Sequence, residues 1–521
     1  MPRLPSRRYA IMSAVALFAA CLISLPGVPR AESVPNPVPA RVILHQILEY
    51  VSERIASSIE GSVLTMAGVP TAQSAEDRTE LVFPLASVVG VNGDGLGLGT
   101  ITATVSQKDQ ESFEFSIGLP KHMNITDTDG NRDGRISWSE SAISGTWRAD
   151  LDTATVIHAA LYDVNVTAQV QGKSQSMGKI GSLKLDQELV ETGNGWWSGP
   201  YSYDVVELEL TPPSEENHIS MEKLSLSGKL RGFDLAAWQA LSEWGSEIPI
   251  ELDDADPVPF ENGIEAARIF EAMNLGAGNI DLSISGMRHG PPGLNQSKLD
   301  GFSLRMSYDN GARPGAYSLA LTWQGLEEAV KILPSAFVTH TGSLKLHFEQ
   351  LPLRQIATTS LRQAAATDSF GKNDYAVEFD KTILPLLNAN QTALRLEELV
   401  LRSSAAALFA SGKLSATAGS ALGVVGTARV EIAGLDKLIA AAARWAASGG
   451  DGQNLLALLT IAKGLGRPEI GAEGEIVYVF DIAVPPDGTV TINEIPLDLL
   501  QDSGQTALPR PPARSATASA Q

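Results

Sequence analysis

The chain has 521 residues, of which 44% are hydrophobic and 19% charged, and its formal charge is −21. That length supports two or three domains with sizeable cores, and the composition excludes a disordered or fibrous protein. The excess of acids repels nucleic acid and anionic membrane surfaces and argues against both as partners.

The chain opens on MPRLPSRRYA, basic and without an acid, followed by the apolar run IMSAVALFAACLISLPGV and then VPRAES. This is the layout of a secretory signal, with cleavage expected after Ala31. Polar, proline-rich sequence follows, so no integral membrane span is expected in the mature protein. Two other export readings stay open: the paired Arg7 and Arg8 suit a twin-arginine signal, and FAAC would make Cys21 a lipid anchor. Removing a signal with four arginines and no acid takes the charge from −21 to −25. It also removes Cys21, the only cysteine, so the fold must stand without disulfides.

After the signal, Leu44, Leu48, Val51, Ile55 and Ile59 recur at helical spacing over 42–59. The period then becomes two. LSLSGKL (from Leu224), IDLSI (from Ile280), LKLHF (from Leu344), ALRLEELVL (from Ala393) and EIVYVF (from Glu475) all alternate, and GFSLRMSYDNGARPGAYSLALTW reads as a hairpin. Helices are expected at FENGIEAARIFEAMN after Pro259, at GLDKLIAAAARWAA from Gly434 and at NLLALLTIAKGL before Gly466. A strand–glycine–apolar–Asp–helix pattern occurs twice, around Asp234 and Asp436, where a carboxylate can cap a helix start.

These signals predict an α+β protein, predominantly antiparallel β-sheet, as two β-rich domains with a few packed helices. The expected division is a signal over 1–31, an N-terminal domain over 32–246, an acidic linker over 247–262, a C-terminal α+β domain over 263–503 and a disordered tail over 504–521.

Between Asp127 and Glu140 stands DTDGNRDGRISWSE. Counted from Asp129, oxygen donors fall at Asp129, Asn131 and Asp133, with Gly134 sixth, Arg135 offering a carbonyl, Ile136 apolar, Ser137 ninth and Glu140 twelfth. In this register the segment resembles an EF-hand calcium loop. The resemblance implies Ca2+ held by the side chains of Asp129, Asn131, Asp133 and Glu140, by the Arg135 carbonyl and, through water, by Ser137. A lone loop of this kind implies a structural site with a dissociation constant on the order of 0.1–1 mM. The plain alternative is a solvated, Asx-rich turn. The preceding ESFEFSIGLPKHMNIT reads as strand, and SWSESAIS as a short helix after the loop.

Other segments carry weaker signals. GNGWWSGPYSYD clusters Trp196, Trp197, Tyr201 and Tyr203, which could stack on a sugar, line an apolar groove or fold over a core edge, the last being favoured. VNGDGLGLGT lacks phosphate-loop spacing and reads as a hairpin. ELDDADP reads as solvated linker, and His340 and His347 lack partners at zinc-motif spacing. No GxSxG elbow, HExxH or paired-carboxylate signature stands in the chain.

VILHQILEYVSERI, LSLSGKLRGFDLAAW and FDIAVPPDGTVTINEIPL together resemble an uncharacterised family of bacterial periplasmic proteins. That resemblance implies an envelope location and supplies no catalytic residues. A looser similarity to β-rich envelope proteins that shield lipids implies a carrier role. The leading expectation is therefore a non-catalytic, calcium-stabilised envelope binding or scaffold protein. Beside it stand a carrier with an apolar groove for a hydrophobic or envelope ligand, and a hydrolase of envelope polymers.

Overall fold

A computed structural model describes residues 63–497, apart from 76–77, 91–92, 128–131, 152, 171, 212–217, 247–259, 292–295, 311–313, 329–333, 367–378, 449–451 and 473. Most of the described chain is antiparallel sheet, as the alternating segments predict. The expected signal, the helix over 42–59 and the tail lie outside the described residues. Two compact units result: one of residues to Ile332 with His340–Ser343 and Leu351–Phe379, the other of Leu333–Thr339, Leu344–Gln350 and the chain from Asp380.

In the first unit, β1 (Val63–Met66) and β2 (Thr71–Ala75) both pair with β3 (Arg78–Val89), which turns into β4 (Gly95–Gln107). Two short strands share β4, β5 (Ser112–Gly118) and β6 (His122–Thr126). Next come β7 (Arg132–Ser137), paired with β6, and β8 (Glu140–Arg148), paired with β5. Both lie along β9 (Thr153–Val170), which returns as β10 (Lys173–Glu188). The short β11 (Val190–Gly193) turns into β12 (Trp196–Leu210), which also pairs with β10. From β12 the sheet follows chain order through β13 (Ile219–Asp234), β14 (Ala277–His289), β15 (Ser297–Asp309) and β16 (Gly315–Gln324).

Local chemistry sets these paths. Pro84 cannot donate to a ladder, and it falls at a break in register where Leu85 takes φ 45°. The β11–β12 turn runs through Gly193, Asn194 and Gly195, all at positive φ, a conformation that favours glycine and asparagine. Asp163, at φ 51°, bends β9 where its neighbour changes from β8 to β7, and its carboxylate accepts from the Ser139 hydroxyl at 2.7 Å.

The densest core lies where β6, β7, β9 and β10 meet. Met123, Ile125, Ile136, Trp138, Leu161, Val164, Val166, Ile180 and Leu183 are all buried there, and Leu96 and Leu98 of β4 pack against them. Each such side chain contributes about 1.5–3 kcal/mol on burial.

Helices enter as pairs at strand ends. β13 runs directly into α1 (Leu235–Ser246), and α2 (Phe260–Ala272) leads back into β14. In the second unit β18 (Ala393–Arg402), β19 (Ala407–Ala416) and β20 (Val424–Ala433) form a meander. Before it in the chain stand β17 (Thr341–Leu351), of which Leu344–Gln350 belong to this unit, α3 (Leu353–Ala366), which belongs to the first unit, and α4 (Leu384–Ala389). After β20 come α5 (Leu435–Ala447), α6 (Gly452–Leu465), β21 (Arg467–Ile470), β22 (Ile476–Val484), β23 (Thr491–Ile492) and β24 (Ile495–Pro496). β22 pairs with both β20 and β21. The paired pattern noted at Asp234 and Asp436 thus marks a strand-to-helix junction, and a third follows Pro352. Asp234 caps α1, accepting from the Ala237 N–H at 3.0 Å. Asp436 instead accepts from Lys463 Nζ at 2.6 Å and from the Tyr478 hydroxyl at 3.3 Å.

Three expectations are corrected. SWSESAIS is not a helix: Glu140 begins β8, whose alternating residues pair with both β5 and β9. The acidic stretch 247–262 does not divide the sheet. β13 and β14, on either side of it, pair from Ile219↔His289 to Arg231↔Ala277. Its acids and prolines mark a link between two helices, which has the same composition as a link between domains. The helix α3 carried no glycine or capping signal and was not foreseen.

Candidate functional site

The loop residues come first. Asp129 and Asn131 lie outside the described residues. Asp133 sits at the β7 side of a bulge, where the register shifts between Ile125↔Gly134 and Thr126↔Arg132. Arg135 and Ser137 continue β7 and are held by ladders on both sides, opposite Asn124 and His122 of β6 and Thr167 and Asn165 of β9. The Arg135 carbonyl accepts from the Thr167 hydroxyl at 3.4 Å. Glu140 is exposed and stands opposite Tyr162. Seven positions of extended chain separate Asp133 from Glu140, on the order of 20 Å along β9. A calcium ion needs all its oxygens within about 2.6 Å. Asp133 and Glu140 of the expected set of Asp129, Asn131, Asp133, Arg135, Ser137 and Glu140 are therefore too far apart to hold one ion, because the alternation that buries Ile136 and Ile143 keeps this chain extended. Among the described residues no three His, Cys, Asp or Glu side chains gather as metal ligands.

The aromatic segment divides. Trp197 is buried with Leu189, Phe233 and Leu235, and the Arg148 guanidinium lies 5.2 Å from its ring. Trp196 is 41% exposed. Tyr201 and Tyr203 join a larger feature that emerges only from strand register. His340 Nδ1–H donates to the Leu326 carbonyl at 2.9 Å.

That feature is one face of β12–β16. A first row runs Val205, Leu224, Ile284, Phe302, Trp323, each directly opposite the next. A second runs Tyr203, Leu226, Leu282, Leu304, Leu321. A third runs Tyr201, Gly228, Ile280, Met306, Leu319, and a fourth Gly199, Leu230, Gly278, Tyr308, Tyr317. The four rows hold no charged side chain. Their alternates face the other way and are polar: Ser225, Ser283, Ser303 and Thr322 in one row, Ser227, Asp281 and Arg305 in the next.

Such a face is ordinarily covered. Here none of its large side chains on β13–β16 is fully buried, and all are partly buried. The rows begin in the covered core, since Leu183 pairs with Val205 and Leu161 with Leu183. The burial ends at β12. The rows are spaced by two residues, so four span about 20 Å along the strands, and β13 to β16 span about 14 Å across.

The floor of the face is levelled by rings laid over glycines. A Cβ on Gly228 would meet the Tyr201 ring and hydroxyl within 2.6 Å, and one on Gly278 the Tyr308 hydroxyl at 2.8 Å. Likewise Trp323 covers Gly342. The tyrosine hydroxyls are occupied: Tyr201 donates to the Asn279 carbonyl at 3.4 Å and Tyr317 to Asn310 Oδ1. Burial raises the hydroxyl pKa values of Tyr201, Tyr203 and Tyr308, and pushes Tyr317 up to about 12. These rings are neutral at physiological pH and present an uncharged hydrocarbon surface.

No protein-family model matches this chain, and no curated protein or solved structure matches it. No helix among the described residues is long and apolar enough to cross a membrane.

Proposed function

We propose that this protein is an exported, non-catalytic carrier that holds the hydrocarbon part of a lipid on the face of β12–β16. The observation that carries the reading is the incomplete burial of the apolar rows in cross-strand register, backed by a polar opposite face. A monomeric soluble protein rarely leaves so contiguous an apolar patch without a use for it. The width suits hydrocarbon, and the absence of charge in the rows leaves nothing there to recognise a polar substrate or perform acid–base chemistry. The test is extraction of the purified full chain and mass spectrometry of the extract. Acyl lipid at near-stoichiometric amounts supports the carrier, and an extract without lipid from protein purified in the presence of membranes sinks it.

Calcium at the β6–β7 tip is a separate, narrower proposal, resting on the donor spacing of Asp129, Asn131 and Asp133 without Glu140. Calorimetric titration of the full chain against Asp133→Ala tests it.

A further inference from the structure

In the second unit, α5 and α6 form an antiparallel hairpin. Lys463, near the end of α6, donates to Asp436, at the start of α5, at 2.6 Å. At the other end a Cβ on Gly452, which opens α6, would meet the Ala442 carbonyl and the Ala446 nitrogen, both at 2.7 Å. One side of the hairpin lies on the sheet, where Ile439 of α5 and Leu459, Ala462 and Leu465 of α6 pack against Tyr478 and Phe480. The run NLLALLTIA of α6 is apolar nearly all round, as in a helix covered on every side. Yet Leu458 and Ile461, neighbours on that helix, are 64% and 57% exposed, well beyond any large side chain of the β13–β16 rows. The charge of the hairpin is also the reverse of the chain's. From Lys437 to Pro468 stand Lys437, Arg444, Lys463 and Arg467 against one acid, Asp451 in the link between the helices, in a chain of net −21. Two of these cations are taken, Lys463 by Asp436 and Arg467 by Glu469 and Asp481. Lys437 and Arg444 are not: both are exposed on the side of α5 opposite the buried Leu435 and Ala442, and neither side chain has an ion pair or hydrogen bond among the described residues.

We infer that the exposed side of the α5–α6 hairpin docks on the surface of an anionic phospholipid bilayer. Leu458 and Ile461 enter the boundary between headgroups and acyl chains, while Lys437 and Arg444 stay at the headgroups. The acid excess that sets the chain as a whole against anionic surfaces is carried elsewhere. The β21–β22 tip also exposes Ile470 and Ile476, but Glu475 stands exposed beside them, and the tip is no part of this surface. A second copy of the chain fits less well. Helices of 13 and 14 residues present about 20 Å by about 20 Å, on the order of 400 Å2, half of the ~800 Å2 that a stable dimer buries per partner. Self-contact would also set Lys437 and Arg444 against their own like charges, with no free acid on that side to meet them.

The test is flotation of the full chain with phosphatidylcholine vesicles, and with vesicles in which phosphatidylglycerol replaces part of that lipid. Wild type is expected to bind the anionic vesicles roughly tenfold more tightly. Leu458→Asn with Ile461→Asn should lose at least tenfold on both vesicles. Lys437→Gln with Arg444→Gln should bring anionic binding down to the phosphatidylcholine level. A thermal melt accompanies each variant, and the charge pair, free of fold contacts, keeps the test open if the aliphatic pair unfolds. Leu282→Asp, on the β12–β16 face, separates this surface from the carrier reading: it should float as wild type does, whether or not that face holds lipid. Wild type that floats with neither vesicle, undiminished flotation of both helix variants, or flotation lost only in Leu282→Asp would overturn the assignment. So would a wild-type dimer in sedimentation velocity that the Leu458→Asn, Ile461→Asn pair makes monomeric while vesicle binding stays unchanged.

Discussion

The first unit contains the same apolar row twice over, once covered and once open. Leu161, Leu183 and Val205 are 2%, 4% and 8% exposed, whereas Leu224, Ile284, Phe302 and Trp323, next in register, are only partly buried. Strand, alternation and pairing are alike on both sides of β12. What differs is the layer above: β4, β6 and β7 fold residues such as Leu96, Met123 and Ile136 over the first half of the row. Alternation thus makes an amphipathic sheet, and tertiary cover alone decides whether its apolar face is a core or a surface for hydrocarbon.

If that contrast is right, equivalent truncations must have unequal costs. Leu161→Ala should lose about 2–5 kcal/mol, read as a fall in denaturation midpoint, because it opens a cavity in a closed core. Leu282→Ala, in the open half, should lose about 1 kcal/mol. Equal losses would mean that the β13–β16 face is covered after all. Added lipid sharpens the comparison further. It should raise the melting temperature of wild type and leave that of Leu282→Asp unmoved, since only the folded face binds it.

The polar side of the same strands gives a smaller, pH-dependent effect. The Arg305 hydrogen bond, chiefly, holds the Asp281 carboxyl below its ordinary value, with Asn279 adding to it. A depressed folded-state pKa stabilises above the unfolded value near 3.8 and is lost as pH falls through the lowered one. Asp281→Asn should therefore melt closer to wild type at pH 3 than at pH 7. The smallest expected effect is none: Glu140→Ala should leave any calcium response of the chain unchanged, because Glu140, at the start of β8, lies on the order of 20 Å along β9 from Asp133. Loss of a calcium response in that variant would restore the twelve-residue loop.

The strands were legible because alternation is a local signal: the hairpin from Gly301 to Trp323 pairs as its Gly/Pro turn predicts, with Leu304 opposite Leu321. The face was not, because a row such as Tyr203, Leu226, Leu282, Leu304, Leu321 spans five strands and depends on register that no single segment encodes. The same limit misplaced the loop. Asp133 to Glu140 satisfies the spacing of a curled loop, yet Ile136 and Ile143 also satisfy the alternation of a strand, and burial in a sheet already formed by β9 prevailed. The aromatic segment divides between two places. Trp197 folds into the core edge, and the tyrosines two turns of the pleat further on lie on the open face.

The most direct measurement is uptake of labelled diacylglycerol from phosphatidylcholine vesicles by wild type, Leu282→Asp and Leu304→Asp, with a thermal melt of each. The account predicts uptake by wild type and at least a tenfold loss in both variants, with melting temperatures that stay within a few degrees of each other. Undiminished uptake by the folded variants would contradict the placement of the ligand on this face.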